Sequence, residues 1–153
     1  SPSQMSLYWG QPEEPSDVLL DGWTRTRDLG RVDEDGFIYL TGRARDVIIV
    51  NALVMYAGPI ERVLATHPDV AEAYVIGTPD EQTGEAIHAF VVPADGRAPD
   101  HDALAALVRA ELGEGSVPRT ITEVSAVPVT ASGKPDKRAL LGNAPPSKQG
   151  ARA

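Results

Sequence analysis

The fold is decided by residues 70–92, Val-Ala-Glu-Ala-Tyr-Val-Ile-Gly-Thr-Pro-Asp-Glu-Gln-Thr-Gly-Glu-Ala-Ile-His-Ala-Phe-Val-Val. The two ends of this stretch, residues 70–77 and 86–92, are apolar and rich in the β-branched and aromatic side chains that favour strands. Residues 78–84 between them are polar and contain proline and glycine, which favour a loop. The stretch therefore predicts two strands separated by a polar loop.

Amphipathic segments on both sides of these strands predict two helices. The first begins at residues 58–59 (Gly-Pro), since proline is favoured at the first helical position, and residues 67–68 (His-Pro) end it. The second follows Asp100 or Asp102, because either residue can cap a helix. Its apolar residues recur at helical spacing and form one stripe: Leu104, Leu107, Val108 and Leu112.

Shorter apolar segments add further strands before and after these elements. Residues 47–50 (Val-Ile-Ile-Val) predict a buried strand, and residues 120–124 predict a last one. Strands and helices in this arrangement indicate an α+β fold, in which a small mixed β-sheet is flanked by helices. We expect this domain to span residues 47–141.

The N-terminal part of the chain has a different pattern. Residues 35–36 (Asp-Gly) lie between two apolar segments, which is a strong indication of a β-hairpin. A two-stranded hairpin is only marginally stable by itself in water, so we expect residues 1–42 to be the edge of something larger. The polar residues 142–153 are expected to be a disordered tail.

The composition excludes several classes of function. With 153 residues, 42% of them apolar, the chain can form one ordinary domain with a buried core. It contains no cysteine, which excludes disulfides and thiolate metal sites, and no apolar run long enough to span a membrane. The net charge of −8 argues against a broad surface that binds nucleic acid. A cytoplasmic location is expected.

The lysines of the chain are concentrated near its C-terminus. Its three lysines are Lys134, Lys137 and Lys148, and the first two lie beside Arg138 in a polar turn before a short helix predicted over residues 136–141. A lysine that follows Ser-Gly on a loop can carry positive charge into a neighbouring cleft, as a reaction at a carboxylate or phosphate requires. Taken alone, the segment favours a solvated basic turn, and only the motifs elsewhere in the chain shift the interpretation towards a catalytic lysine.

Three motifs occur in order along the chain: residues 21–30 (Asp-Gly-Trp-Thr-Arg-Thr-Arg-Asp-Leu-Gly), residues 42–49 (Gly-Arg-Ala-Arg-Asp-Val-Ile-Ile) and residues 128–134 (Pro-Val-Thr-Ala-Ser-Gly-Lys). They resemble the C-terminal part of the acyl-adenylate-forming superfamily, which comprises acyl- and aryl-CoA ligases, adenylation domains of peptide synthetases and beetle luciferases. The first is similar to that family's Gly-Trp-x-x-Thr-Gly-Asp-Leu-Gly, the second to its linker and the third to its terminal Pro-x-Thr-x-x-Gly-Lys.

The resemblance implies a division of the chain. Residues 1–42 would be the last strands of a large AMP-binding N-terminal domain, residues 43–46 a hinge and residues 47–141 the small C-terminal domain. The phosphate loop and most of the acyl pocket of such enzymes lie in the large domain, which is the expected partner of this chain. We therefore expect the chain to be inactive by itself.

The resemblance also implies a chemistry. Enzymes of this family couple a carboxylic acid to ATP, which releases pyrophosphate, and a thiol, usually that of CoA, then displaces AMP from the acyl-adenylate. Lys134 would be the catalytic residue of the first step, Asp28 and Arg43 would bind the nucleotide, and Arg45 would be the hinge residue. The residues alone leave other roles open, because Asp28 could cap a turn, Arg43 could form a surface salt bridge and Arg45 could be a solvated linker residue.

The second step would use a loop that lines the channel for the pantetheine arm of CoA. By resemblance this loop comprises Val50, Asn51, Ala52 and Leu53. The family usually has glycine in this loop, and it also has glycine where this chain has Arg27. A side chain at a glycine position predicts altered backbone torsions or a narrower channel. ATP, Mg²⁺ and CoA are the expected cofactors, and the ligands of Mg²⁺ are expected mainly in the large domain.

Three functions remain open from the sequence. The leading hypothesis is an ATP-dependent acyl- or aryl-CoA ligase with a small-molecule carboxylic acid as substrate. One alternative is the adenylation domain of a peptide synthetase, which loads a carrier protein. Another is a non-catalytic binding or regulatory module. The acid itself is not predicted, because its pocket lies in the large domain.

Overall fold

The computed structural model describes residues 18–20 and 22–143. Within these residues the strands are β1 (Leu19–Leu20), β2 (Trp23–Thr24), β3 (Asp28–Val32), β4 (Ile38–Arg43), β5 (Val47–Val50), β6 (Leu53–Tyr56), β7 (Val70–Asp80), β8 (Gly84–Pro93) and β9 (Thr120–Glu123). The α-helices are α1 (Ala57–Leu64) and α2 (His101–Leu112). Short 3₁₀ segments span Ala44–Asp46, Ala94–Gly96, Glu114–Ser116 and Lys137–Asn143.

The largest sheet has the strand order β6-β5-β8-β7, and β9 also pairs with β8. The β8–β9 pairing is parallel and the other pairings of this sheet are antiparallel, so the sheet is mixed. Helices α1 and α2 share a core with it. The predicted α+β fold, a small mixed sheet with flanking helices, is confirmed.

Strands β7 and β8 are longer than the sequence predicts. Their ladder continues through residues 78–80, so the loop predicted over residues 78–84 is reduced to a turn of residues 81–83. Polar side chains do not prevent this extension, because the ladder is made by backbone groups that need partners. Gly84 closes the turn at a φ of 81°, a conformation that glycine adopts without steric cost.

Both helices bury one face in the main core. Asp100 caps α2, as one of the two predicted alternatives, since its carboxylate accepts the N–H of Asp102 at 2.9 Å and that of Ala103 at 3.3 Å. Helix α2 ends at Leu112, before Gly113, and it buries Leu104 and Val108 of its apolar stripe, whereas Leu112 is exposed. The buried members of this core are Ile48, Ala57, Ile60, Leu64, Val70, Val75, Ile87, Ala89, Val91, Leu104 and Val108.

The C-terminal segment also contributes to the buried interior. Leu140 is fully buried and belongs to the 3₁₀ segment Lys137–Asn143, which takes the place of the helix predicted over residues 136–141. Residues 142–143, predicted as the start of a disordered tail, lie in this segment, and residues 144–153 lie outside the described residues. The buried leucine fixes the end of the loop that carries Lys134.

The strands before residue 44 form two separate pairs, β1–β2 and β3–β4. The second pair is the predicted hairpin, and its turn is closed by the Asp33 carboxylate, which accepts the N–H of Asp35 at 3.1 Å and that of Phe37 at 2.9 Å. The predicted edge region also includes residues 1–17 and 21, which lie outside the described residues. Large apolar side chains of this hairpin are exposed: Val32, Phe37, Ile38 and Leu40.

Candidate functional site

The predicted nucleotide-binding residues lie side by side. Asp28 begins β3, Arg43 ends β4, and the two residues are partners in the ladder of the hairpin. Arg43 Nε donates to Asp28 Oδ1 at 3.1 Å, while half of the Arg43 side chain is exposed. The hairpin thus presents a carboxylate acceptor and a planar cationic donor at one point, which suits recognition of hydroxyl and phosphate oxygens.

Arg27, which precedes this pair, has a backbone conformation typical of glycine. Its φ is 61°, in the left-handed region, and its carbonyl accepts the N–H of Ala44 at 2.9 Å. The departure from glycine at this position therefore does not prevent the glycine-type turn. Instead, the hydrogen bond to Ala44 ties the turn before β3 to the segment that follows β4.

The predicted hinge residues form a compact turn. Arg43 is the last residue of β4, and the next three residues form the 3₁₀ segment Ala44–Asp46 that leads into β5. The Arg45 side chain is 69% exposed and lies 3.6 Å from the Asp46 carboxylate. Asp46 also lies 3.7 Å from Nζ of Lys137. An ion pair therefore links this turn to the segment that follows Lys134.

Lys134 lies at the end of a tight hydrogen-bonded turn. The Thr130 N–H donates to the Lys134 carbonyl at 2.7 Å, and the Lys134 N–H donates to the Thr130 hydroxyl at 3.2 Å. Gly133 takes a φ of 76°, and Val129 and Pro135 form a β-bridge at the base. The Lys134 side chain is exposed, and within residues 18–20 and 22–143 no ion pair joins it to a carboxylate. Its ammonium group is thus available to an outside ligand.

The loop predicted to serve the second step is smaller than expected. Val50 is the last residue of β5 and Leu53 the first of β6, and the two are ladder partners. Only Asn51 and Ala52 form the turn, at φ values of 51° and 62°. Two left-handed residues between antiparallel strands are typical of a type I′ hairpin turn. Val50 and Leu53 lie in the strands that flank this turn, and the proposed role of the four residues in the second step stays a prediction.

The part of the chain that the structure describes contains neither a cluster of metal-binding side chains nor a membrane helix. There, no group of three or more His, Cys, Asp or Glu side chains is placed to hold a metal ion. The described residues also include no helix with the length and apolar character needed to cross a bilayer.

The comparison with protein families identifies the domain. Residues 59–134 match the family described as AMP-binding enzyme C-terminal domain. The chain belongs to this family. Lys134 is the last residue of the match. The match does not include Asp28, Arg43 or the Asn51–Ala52 turn, which all come before it in the sequence.

Two curated proteins with a similar sequence are ligases. It is 41% identical to a fatty acid–[acyl-carrier-protein] ligase, ScoC, of Streptomyces coeruleorubidus, over 92% of this chain and 27% of the relative. It is 39% identical to a medium/long-chain-fatty-acid–CoA ligase, FadD8, of Mycobacterium tuberculosis, over 87% of this chain and 24% of the relative. The chain thus spans about a quarter of the length of the curated relatives it matches.

A solved structure shares both the fold and much of the sequence. The amide bond synthetase McbA from Marinactinospora thermotolerans superimposes with a TM-score of 0.83 and is 50% identical over 93% of this chain and 29% of that one. The adenylate-forming assignment that the three motifs predicted is therefore confirmed at the level of the family and of the fold.

Proposed function

We propose that this chain is the C-terminal portion of an ATP-dependent acyl- or aryl-CoA ligase. In the first step an oxygen of the carboxylic acid attacks the α-phosphorus of ATP, and the bond to pyrophosphate breaks. In the second step the sulfur of CoA attacks the acyl carbon, AMP leaves with the electron pair of the acyl–oxygen bond, and the thiol proton is released. The observation that carries the proposal is the exposed Lys134 on a rigid turn at the end of the matched family segment.

Lys134 is the proposed catalytic residue of the first step. Two negatively charged groups, the carboxylate and the α-phosphate, must approach each other, and a nearby ammonium group reduces their repulsion. The turn of residues 130–135 supports this role, because its backbone is held by hydrogen bonds while the lysine side chain is exposed. The lysine would therefore be presented without loss of backbone order.

Asp28 and Arg43 are the proposed nucleotide-binding residues. A carboxylate is an acceptor only, which suits the two hydroxyl groups of a ribose, and the guanidinium group can donate to ribose or phosphate oxygens. The 3.1 Å contact between them keeps both groups at the start of β3 and the end of β4. These two groups fit the ribose and phosphate oxygens of ATP. We further propose that the ligands of Mg²⁺ lie mainly in the large domain.

The proposed division of the chain places a large AMP-binding domain before the hinge. Residues 1–42 would be its last strands, residues 43–46 the hinge around Arg45 and residues 47–141 the mobile C-terminal domain. The exposed apolar side chains of the β3–β4 hairpin support this division, because such a surface favours burial against another domain. We further propose that the partner supplies the acid pocket and the phosphate loop, and that the reaction occurs in the cytoplasm.

A second candidate is a ligase whose acceptor is not CoA. The 50% identity to an amide bond synthetase favours an amine, and the similarity to an acyl-carrier-protein ligase favours a carrier thiol. A non-catalytic module is less favoured, because the similar curated proteins described above are ligases.

The test uses this chain joined to its large domain and a panel of carboxylic acids. Acid-dependent release of pyrophosphate measures adenylation, and AMP release with CoA, an acyl-carrier protein or an amine identifies the acceptor. Lys134→Ala is expected to lower adenylation by at least about 100-fold while sparing transfer from supplied acyl-adenylate. Arg138→Ala, which removes an equal charge four residues later, should leave both steps unchanged. Equal loss of both steps in Lys134→Ala would overturn the proposed role.

The three readings are separated by the same panel. Transfer to CoA alone supports the CoA ligase, and transfer only to an amine or a carrier protein supports the second candidate. A joined protein that releases no pyrophosphate with any acid would indicate a non-catalytic module.

A further inference from the structure

The Asn51–Ala52 turn has a left-handed backbone conformation that alanine does not favour. Both residues have positive φ values, 51° and 62°. Asparagine tolerates the left-handed region comparatively well, but in alanine the Cβ atom approaches the following carbonyl oxygen. Non-glycine residues persist in this region only when their surroundings hold them there. The turn therefore depends on contacts from outside the β5–β6 hairpin.

Those contacts come from the turn between β7 and β8. The Asn51 N–H donates to the Thr83 carbonyl at 2.8 Å, and the Ile49 N–H donates to the Glu85 carboxylate at 2.5 Å. Between them, β5 and β8 share a single ladder pair in the part of the chain that the structure describes. The turn that faces the proposed acceptor is thus attached to the rest of the sheet mainly through residues 83–85.

Thr83 is itself held by two charged residues. Asp80 Oδ1 accepts the Thr83 N–H at 2.9 Å and the Thr83 hydroxyl at 2.7 Å. Arg119 forms an ion pair with both carboxylate oxygens of Asp80, and its Nη2 also lies 3.3 Å from the Thr83 hydroxyl. The Asp80 side chain is 14% exposed and that of Arg119 is 44% exposed, so water partly screens this ion pair. The Arg119 guanidinium, with the hydrogen bonds from Thr83, holds the pKa of the Asp80 carboxyl well below its usual range.

Arg119 is in turn placed by the start of β9. Its N–H donates to the Ile87 carbonyl at 2.8 Å, immediately before the parallel β8–β9 ladder begins at Thr120. Thr83 and Arg119 are 36 positions apart in the sequence, and the sheet brings them within hydrogen-bond distance. The sequence predicts only a polar loop around Asp80, and the ion pair with Arg119 joins this segment to the start of β9.

We infer that Arg119, Asp80 and Thr83 form a clamp that positions the Asn51–Ala52 turn for acyl transfer to the acceptor. The inference rests on the proposed function, in which this turn faces the acceptor in the second step. Arg119 and Asp80 are positioning residues, since they act on the turn through the Thr83 carbonyl. Loss of the clamp is expected to slow the second step and to leave adenylation unchanged, because Lys134 lies on a different loop.

The first measurement is hydrogen exchange of the Asn51 backbone amide in the 153-residue chain. Arg119→Met removes the cation but keeps an apolar stem, and Thr83→Val removes only the hydroxyl. We expect each to accelerate exchange at Asn51 about tenfold, as loss of a hydrogen bond to a charged group would. Arg109→Met is the matched control, because Arg109 forms a comparable two-point ion pair with Glu114 and is similarly exposed. Unchanged exchange at Asn51 in both test variants overturns the clamp.

The second measurement separates the two half-reactions in the chain joined to its large domain. Arg119→Met is expected to lower the rate of acyl transfer from supplied adenylate about tenfold or more, as small misplacements of a site do, with adenylation unchanged. Equal loss in both half-reactions, or equal loss in Arg109→Met, overturns the positioning role. If the unmodified protein forms no adenylate, the proposed function and the acceptor role are both wrong, whereas the exchange measurement still decides whether the clamp holds the turn.

Discussion

Lys137 Nζ lies 2.6 Å from Glu61 Oε1, and the same carboxylate oxygen accepts the Val75 N–H at 2.7 Å. Helix α1, strand β7 and the C-terminal 3₁₀ segment therefore meet at one carboxylate. The Glu61 side chain is 20% exposed, so its ion pair with Lys137 is partly shielded from water. Because Lys137 follows Lys134 by three residues, this contact anchors the end of the turn that carries the proposed catalytic lysine.

Glu61→Gln tests this anchor. The amide oxygen can still accept the Val75 N–H, but the attraction to Lys137 is lost, so we expect the free energy of unfolding to fall by about 1–2 kcal/mol. Urea unfolding followed by circular dichroism measures the change. Glu72→Gln is the control, because Glu72 accepts a hydrogen bond from the Tyr74 hydroxyl at an exposed position and should change stability by less than about 0.5 kcal/mol. Equal effects of the two substitutions would contradict the anchor.

Ala52→Gly tests the strain in the β5–β6 turn. Glycine removes the penalty of about 1 kcal/mol for a left-handed alanine, and this gain offsets the greater freedom of glycine in the unfolded chain. We expect the midpoint of urea unfolding to stay constant or rise. Ala110→Gly, at an exposed position within α2, should instead lower stability by about 1 kcal/mol. A similar loss in both variants would mean that Ala52 is not strained.

Gly77→Ala tests the close approach of β7 to β5. A methyl group on Gly77 would lie 2.8 Å from Ile48 Cγ2 and 3.1 Å from the Glu85 carboxylate, which is closer than packed atoms tolerate. We expect a loss of about 1–3 kcal/mol, as overpacked interiors show. Gly58→Ala is the matched control, because that methyl group would be in ordinary contact at 3.4 Å in α1 and should stabilise the helix. Thermal unfolding of both variants decides the point, and a stabilised Gly77→Ala would contradict the packing.

His88 makes stability depend on pH. Its Nδ1 lies 2.7 Å from the Thr120 hydroxyl, and burial together with the charge of Arg119 lowers the pKa of the imidazole, although Asp80 partly opposes this. A lowered pKa favours the neutral ring in the folded state, so the unfolded chain binds the proton first. Stability should thus be constant above the unfolded pKa of about 6.5 and decrease as the pH falls below it.

Urea unfolding at a series of pH values measures this dependence. His88→Gln should flatten the curve between about pH 5 and 7. The contribution of His88 would be disproved by a His88→Gln curve that matches the unmodified protein.

Local patterns predicted much of the fold. Alternating and β-branched residues located β7 and β8, helical spacing located α1 and α2, and an Asp-Gly pair located the β3–β4 hairpin. The mixed sheet with flanking helices and the family followed from these patterns and from the three motifs. The predicted pair of Asp28 and Arg43 also lies together, because the hairpin register makes the two residues partners. Their binding of a nucleotide stays a prediction.

Other features were missed because they depend on contacts between distant residues. Strand β6 was not predicted, and it forms because its backbone pairs with β5 before the chain enters α1. The polar end of β7 was predicted as a loop, although its backbone completes a ladder with β8. Nothing in the sequence near Asp80 indicates its ion pair with Arg119, since the partner is 39 positions away.

The sequence by itself determined which segments form strands and helices, which family the chain belongs to and which lysine to examine. Those properties depend on side-chain periodicity, turn chemistry and short motifs, all of which act over a few neighbouring residues. Only the tertiary structure decided that Asn51 and Ala52 form a two-residue left-handed turn, that Thr83 holds this turn and that Lys137 anchors the Lys134 loop on Glu61. These contacts form because the folded sheet brings together backbone and charged groups that are distant in the sequence. Local propensity depends only on neighbouring residues and therefore does not predict them.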